Sequence, residues 1–173
     1  MQRTSSASGR ISSLAAAAAV AAAGAFLASS PAQAAEGYKF TCQGVGMSTV
    51  EPVGDRDGHA VSVGEYSCRA ESGRAEGGIV SGANTWERDK GVATLLAGDG
   101  VIRKPGSIAV YQFTEGKNAF TMADGKVTGY EGEGKFLFKQ ASGVMAPWAG
   151  KVGTLKWHSI PGGMFTGEVI IDN

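Results

Sequence analysis

From residue 38 onward, apolar and polar positions alternate along this chain in short segments, and no long stretch repeats apolar residues at helical spacing. Lys135-Phe136-Leu137-Phe138-Lys139 places both phenylalanines on one face and both lysines on the other. Lys151 to His158 puts Leu155 and Trp157 opposite Thr154, Lys156 and His158. In the last segment Phe165, Val169 and Ile171 oppose Thr166 and Glu168. Tyr38–Val45, Val61–Ala70, Ile79–Arg88, Val92–Arg103 and Ser107–Thr114 read as further strands. Turn residues separate them: Asp55 to Gly58, Glu71 to Gly73, Arg88 to Gly91, Lys104 to Gly106, Asp124-Gly125 and Pro161 to Gly163. The pattern predicts an all-β domain of about eight or nine strands in an antiparallel meander. Gly82, Gly98, Gly100 and Gly134 fall inside strands, where they permit the bends that a small closed β-barrel needs. A β-sandwich is the alternative architecture.

Residues 1–34 break this pattern. Arg3 and Arg10 form a positive start, Leu14 to Leu27 an Ala-rich apolar core, and Ala32-Gln33-Ala34 a small-x-small cleavage site. That is the layout of a secretory signal peptide, and its apolar core is shorter than the ~20 residues a membrane span requires. No cysteine follows the site, which argues against a lipoprotein. The Ala/Ser style is bacterial, so the expected location is the periplasm or outside the cell. The mature chain is then a single domain, residues 35–173, with no membrane span after cleavage. The polar stretch Glu71 to Gly78 is too short to link two folded units.

Composition sharpens this reading. The whole chain has 16 basic and 16 acidic residues; the leader removes two arginines, leaving the mature domain at −2. That gives no electrostatic case for nucleic acid or an anionic membrane. Two cysteines are too few for a disulfide-dense scaffold or a four-cysteine zinc site. Export makes a Cys42–Cys68 disulfide the expectation, worth roughly 3 kcal/mol in the chain-entropy view. Twenty-five of the 27 glycines stay in the mature domain, at turns and inside strands.

The chemistry-bearing residues are sparse. There are two histidines and no G-x-S-x-G elbow, so a Ser-His-Asp hydrolase has no foothold. Asp55-x-Asp57-Gly58-His59 looks like a fragment of a calcium loop, but Gly58 comes too early and the distal ligands are absent. It reads as a hairpin tip, and no metal or cofactor is expected. Two strands each place a carboxylate beside apolar neighbours: Glu65 shares a face with Val61 and Val63, and Glu87 with Ile79. Tyr66 and Trp86 point the other way. If Glu65 and Glu87 both faced a lumen, each would perturb the other and the pair could act as general acid and base; Arg103 or Arg69 could instead pair with them. If those faces are solvated, they are ordinary outer charges. Trp148, after Pro147, sits in a loop where it caps a barrel mouth or anchors to a surface. The candidate ligand-binding set is therefore Glu65, Tyr66, Trp86, Glu87, Arg103 and Trp148; no catalytic residue is assigned.

The run Val127 to Phe136, followed by Ala141-Ser142-Gly143 and Ala149 to Gly153, resembles the Gly-rich strand-turn-strand rhythm of the allene oxide cyclase and dirigent type of small β-barrel, especially its many uncharacterised bacterial secreted members. In that type the second motif is G-x-G-x-[FA]-A-G; here Pro147 and Trp148 interrupt it. The resemblance covers about 30 residues specifically and perhaps 130 by strand layout, and it implies an eight-stranded calycin-like barrel with an apolar lumen. The plant cyclases' catalytic residues map onto nothing in this chain. Members of this type are often dimers or trimers, so a homo-oligomer is an expectation too. Three functions follow in order: binding a small apolar ligand, an envelope protein-interaction or inhibitor-like module, and an isomerase or cyclase working by orientation and desolvation.

Overall fold

The computed structural model describes residues 36–172; the expected leader and its expected cleavage site lie outside them. Eight antiparallel strands follow one another around a closed barrel: β1 (Glu36–Pro52), β2 (His59–Ala70), β3 (Ile79–Asp89), β4 (Val92–Lys104), β5 (Ser107–Ala123), β6 (Lys126–Ala141), β7 (Val152–Ile160) and β8 (Met164–Ile171). β1 pairs with both β2 and β8, which closes the ring and excludes the sandwich. The interior is an aromatic core that includes Tyr38, Phe40, Trp86, Tyr111, Phe136, Phe138 and Trp157.

Local chemistry explains the meander. Lys90-Gly91 and Asp124-Gly125 both have positive φ (50° and 88°; 50° and 72°) and close two-residue hairpins between β3 and β4 and between β5 and β6. Two successive positive φ values give the turn whose twist matches that of the flanking strands. β5 and β6 run far beyond their sequence-predicted cores, because Glu115 to Glu133 is too rich in Gly and charge to read as strand.

The in-strand glycines serve the lumen. Five interior rings lie directly across from a glycine on the neighbouring strand: Phe40 over Gly167, Tyr66 over Gly82, Tyr111 over Gly100, Phe136 over Gly153 and Trp157 over Gly132. A Cβ at Gly153 would stand 2.5 Å from the Phe136 ring, and one at Gly167 2.8 Å from Phe40. The rings lie flat against the wall only because no side chain stands there.

Part of the outer face is a belt of charged residues. Lys117, Glu133, Lys156, Glu168 and Lys39 are register neighbours on five successive strands, β5, β6, β7, β8 and β1, and their signs alternate. Opposite charges across a strand pair contribute roughly 0.2–1 kcal/mol each. Among the described residues no helix is long and apolar enough to cross a membrane.

One end of the barrel is sealed. The β2–β3 and β6–β7 connections fold over it as short 3-10 turns, Gly73–Ala75 and Gly143–Trp148. Trp148 and Met145 are fully buried there. The Trp148 ring stacks on Tyr38 at 5.6 Å, and its Nε1 donates to Glu36 at 3.0 Å. Arg74 holds the same carboxylate. Cys42 and Cys68 are direct partners across β1 and β2 and form a disulfide on the inner wall.

Candidate functional site

At the other end the interior is open. A cavity of about 370 Å³ runs in from the mouth formed by the β1–β2, β3–β4, β5–β6 and β7–β8 connections. This is the lower part of the ~300–1,000 Å³ range of small-molecule sites. An eight-stranded barrel is just wide enough to be filled by side chains or to hold one small ligand. Here the plug and the deep aromatics fill the sealed half, and the glycine-backed rings leave the other half free.

The walls are aromatic. Trp86 and Trp157 face each other with centroids 6.0 Å apart, and Phe165 meets Tyr66 edge to face at 6.2 Å. Phe113, Tyr130 and Leu155 complete the sides. Deep in the cavity the Tyr66 and Tyr111 hydroxyls hydrogen-bond each other at 2.9 Å. Burial pushes the Tyr66 hydroxyl up to about 12 and Tyr111 and Tyr38 well above the ordinary tyrosine value. All three hydroxyls therefore stay neutral across the physiological range.

Near the mouth the wall turns polar. Arg88 donates from Nε to Ser62 Oγ at 2.9 Å and from Nη1 to Asn118 Oδ1 at 3.4 Å. Its guanidinium carbon lies 5.5 Å from the Phe120 ring centroid. Ser62 and Asn118 are buried. No carboxylate pairs with Arg88 among the described residues. Desolvation pulls its guanidinium below the ordinary arginine value, against an opposing contribution from Tyr130; an arginine stays charged all the same.

The candidate residues from sequence separate cleanly. Tyr66 and Trp86 line the cavity. Glu65 is exposed, on the outer register of β2, and borders the cavity where β1 bulges between Val45 and Thr49. Glu87 points outward to His59 Nε2 at 2.9 Å. Arg103 is exposed on β4, and Trp148 lies in the plug rather than at the open mouth. The structure does not bring Glu65 and Glu87 together inside the barrel. Their apolar neighbours are outer residues, with Val63 at 42% and Ile79 at 48% exposure.

His59 and Asp55 belong to a surface clamp. Asp55 and Glu87 take one ring nitrogen of His59 each, and Arg56 pairs with Asp55 at 2.6 Å and Asp89 at 3.0 Å. No group of three ligating side chains converges among the described residues.

Sequence reasoning missed Arg88, Ser62, Asn118 and Tyr111. Arg88 had a usable signal: it stands two residues from Trp86, so a strand puts both on one face. The sequence reads as a strand that ends on it and a turn that begins there. Asn118 had none, because an irregularity between Phe113 and Glu115 reverses which residues of β5 face inward. Comparison of the chain with protein families, with curated proteins and with solved structures returns no match, so the likeness to the allene oxide cyclase and dirigent type rests on the residues quoted above.

Proposed function

We propose that this is an exported binding protein that takes one small, largely apolar ligand into the open half of its barrel. The carrying observation is the 370 Å³ cavity, closed below by a tryptophan plug and walled by rings that glycines hold back. An apolar space of this kind gains free energy when an apolar molecule replaces its water, at roughly 25 cal/mol per Å² removed from water. The signal-like leader and the Cys42–Cys68 disulfide support a periplasmic or secreted setting.

The test uses the mature protein and 2-naphthalenemethanol, a neutral ring of suitable size. Calorimetry should give saturable binding at one molecule per chain. In the ¹⁵N spectrum the indole N–H signals of Trp86 and Trp157 should move, while that of Trp148 beneath the plug stays. Absence of saturable binding, or equal shifts at all three indoles, sinks the proposal.

One observation favours a second reading, a protein-interaction module. The β5–β6 hairpin overhangs the mouth and exposes Phe120, Met122 and Val127 at 42%, 58% and 57%. Under that reading Met122→Ser would abolish capture of a protein partner from envelope extract and leave naphthalenemethanol binding unchanged. An isomerase reading has no acid and base facing each other in the lumen among the described residues to support it.

A further inference from the structure

The most unusual group in the lumen is its cation. Arg88 lines the cavity at the mouth, half-buried, with neutral partners only. A buried charge is ordinarily paired, because desolvation without compensation is costly. Here Ser62 and Asn118 supply dipoles and Phe120 supplies a ring face, but no carboxylate pairs with Arg88 among the described residues; Glu65, which borders the same cavity, makes no ion pair with it. A guanidinium carries five N–H donors in a planar fork. The two hydrogen bonds occupy one on Nε and one on Nη1. Three donors remain, one on Nη1 and two on Nη2, and a carboxylate can accept one from each nitrogen in bidentate fashion. Ser62 and Asn118 hold the fork in place, so little rotamer freedom is lost when an anion arrives.

The rest of the cavity specifies what the anion is attached to. Trp86, Trp157, Phe113, Phe165 and Tyr130 line it with ring faces and edges, the surfaces against which a further aromatic group packs favourably. A volume of 370 Å³ corresponds to about a dozen waters at their share of liquid volume. That suits a fused-ring acid and is too small for a long lipid chain. Building on the proposed lumen binding, we infer that the ligand is a compact aromatic carboxylate, its rings in the open half of the lumen against Trp86 and Trp157 and its carboxylate on the free donors of Arg88.

The experiment compares three probes by calorimetry on the mature protein: 2-naphthoate, the neutral 2-naphthalenemethanol and the flexible decanoate. Naphthoate should bind about tenfold or more tightly than naphthalenemethanol, the usual scale of a charge-assisted hydrogen bond. Arg88→Gln should bring the two affinities within about twofold of each other, with an unchanged far-UV circular dichroism spectrum showing that the variant is folded. Arg88→Lys should keep part of the preference. Equal affinity for naphthoate and the alcohol, or a preference that survives Arg88→Gln, overturns the carboxylate assignment and leaves apolar binding standing. Decanoate binding as tightly as naphthoate overturns the aromatic assignment. Failure of all three probes overturns lumen binding and this inference with it.

Discussion

At the residue scale, the unit that shapes this molecule is a ring lying over a glycine. Tyr111 over Gly100 and Phe136 over Gly153 are cross-strand partners, and each ring occupies the space a Cβ would need. Each pair combines the apolar gain of a ring with a thin wall behind it, so the lumen keeps its width without losing its lining. Gly153→Ala should therefore force Phe136 off its seat. Overpacking of this kind costs typically 1–3 kcal/mol. Denaturant titration should show that loss at Gly153, whereas Gly44→Ala, at a strand position without positive φ where the added atom meets only the Glu65 carbonyl oxygen at 4.0 Å, should cost little. Equal losses at the two positions would refute the seating role. Such pairs were half legible beforehand. In-strand glycines announced bends, but which ring each would meet depends on register.

At the element scale, β1, β2 and β3 are tied at the open end by the turn that joins the first two. Asp55 and Arg56 reach from the turn to His59 on β2 and to Asp89 on β3. The hydrogen bond with Asp55 holds His59 above its ordinary value, with Glu87 adding to it and desolvation opposing, and the same bond holds Asp55 below its own. A raised histidine value means that its contribution to stability is full below about pH 6.5 and is lost as pH rises through the folded-state value. A lowered Asp55 value means the reverse: its contribution is present above the ordinary carboxylate range and is lost on acidification. The clamp is therefore strongest between those limits. His59→Gln should lower the urea midpoint more at about pH 5 than at about pH 9; the same drop at both would show that the histidine acts by packing alone. The sequence placed His59 in a polar turn but gave no sign of Glu87, which belongs to β3 and reaches it only through the pairing of Val61 with Glu87.

At the scale of the whole molecule, closure decides everything that follows. The pairing of β1 with β8 removes both sheet edges and makes an inside. The Trp148 plug then makes one end of that inside a floor, and Arg88 sits at the opposite end. The disulfide fastens β1 to β2 on the inner wall, 26 residues apart in sequence. Thiol titration of unfolded, unreduced protein should find no reactive groups, and reduction should cost roughly 3 kcal/mol of stability. Two titratable thiols would contradict it. The alternation of Phe136 with Leu137, the two-residue turns at Lys90-Gly91 and Asp124-Gly125 and the glycines inside strands determined an all-β meander by themselves, because they depend only on strand period and on local φ. Only the tertiary structure decided which face was inner. Val63 and Ile79 are apolar yet outward, and Arg88 and Asn118 are polar yet inward. Bulges reverse the parity of a strand, closure decides which side is concave, and neither is encoded within any one segment.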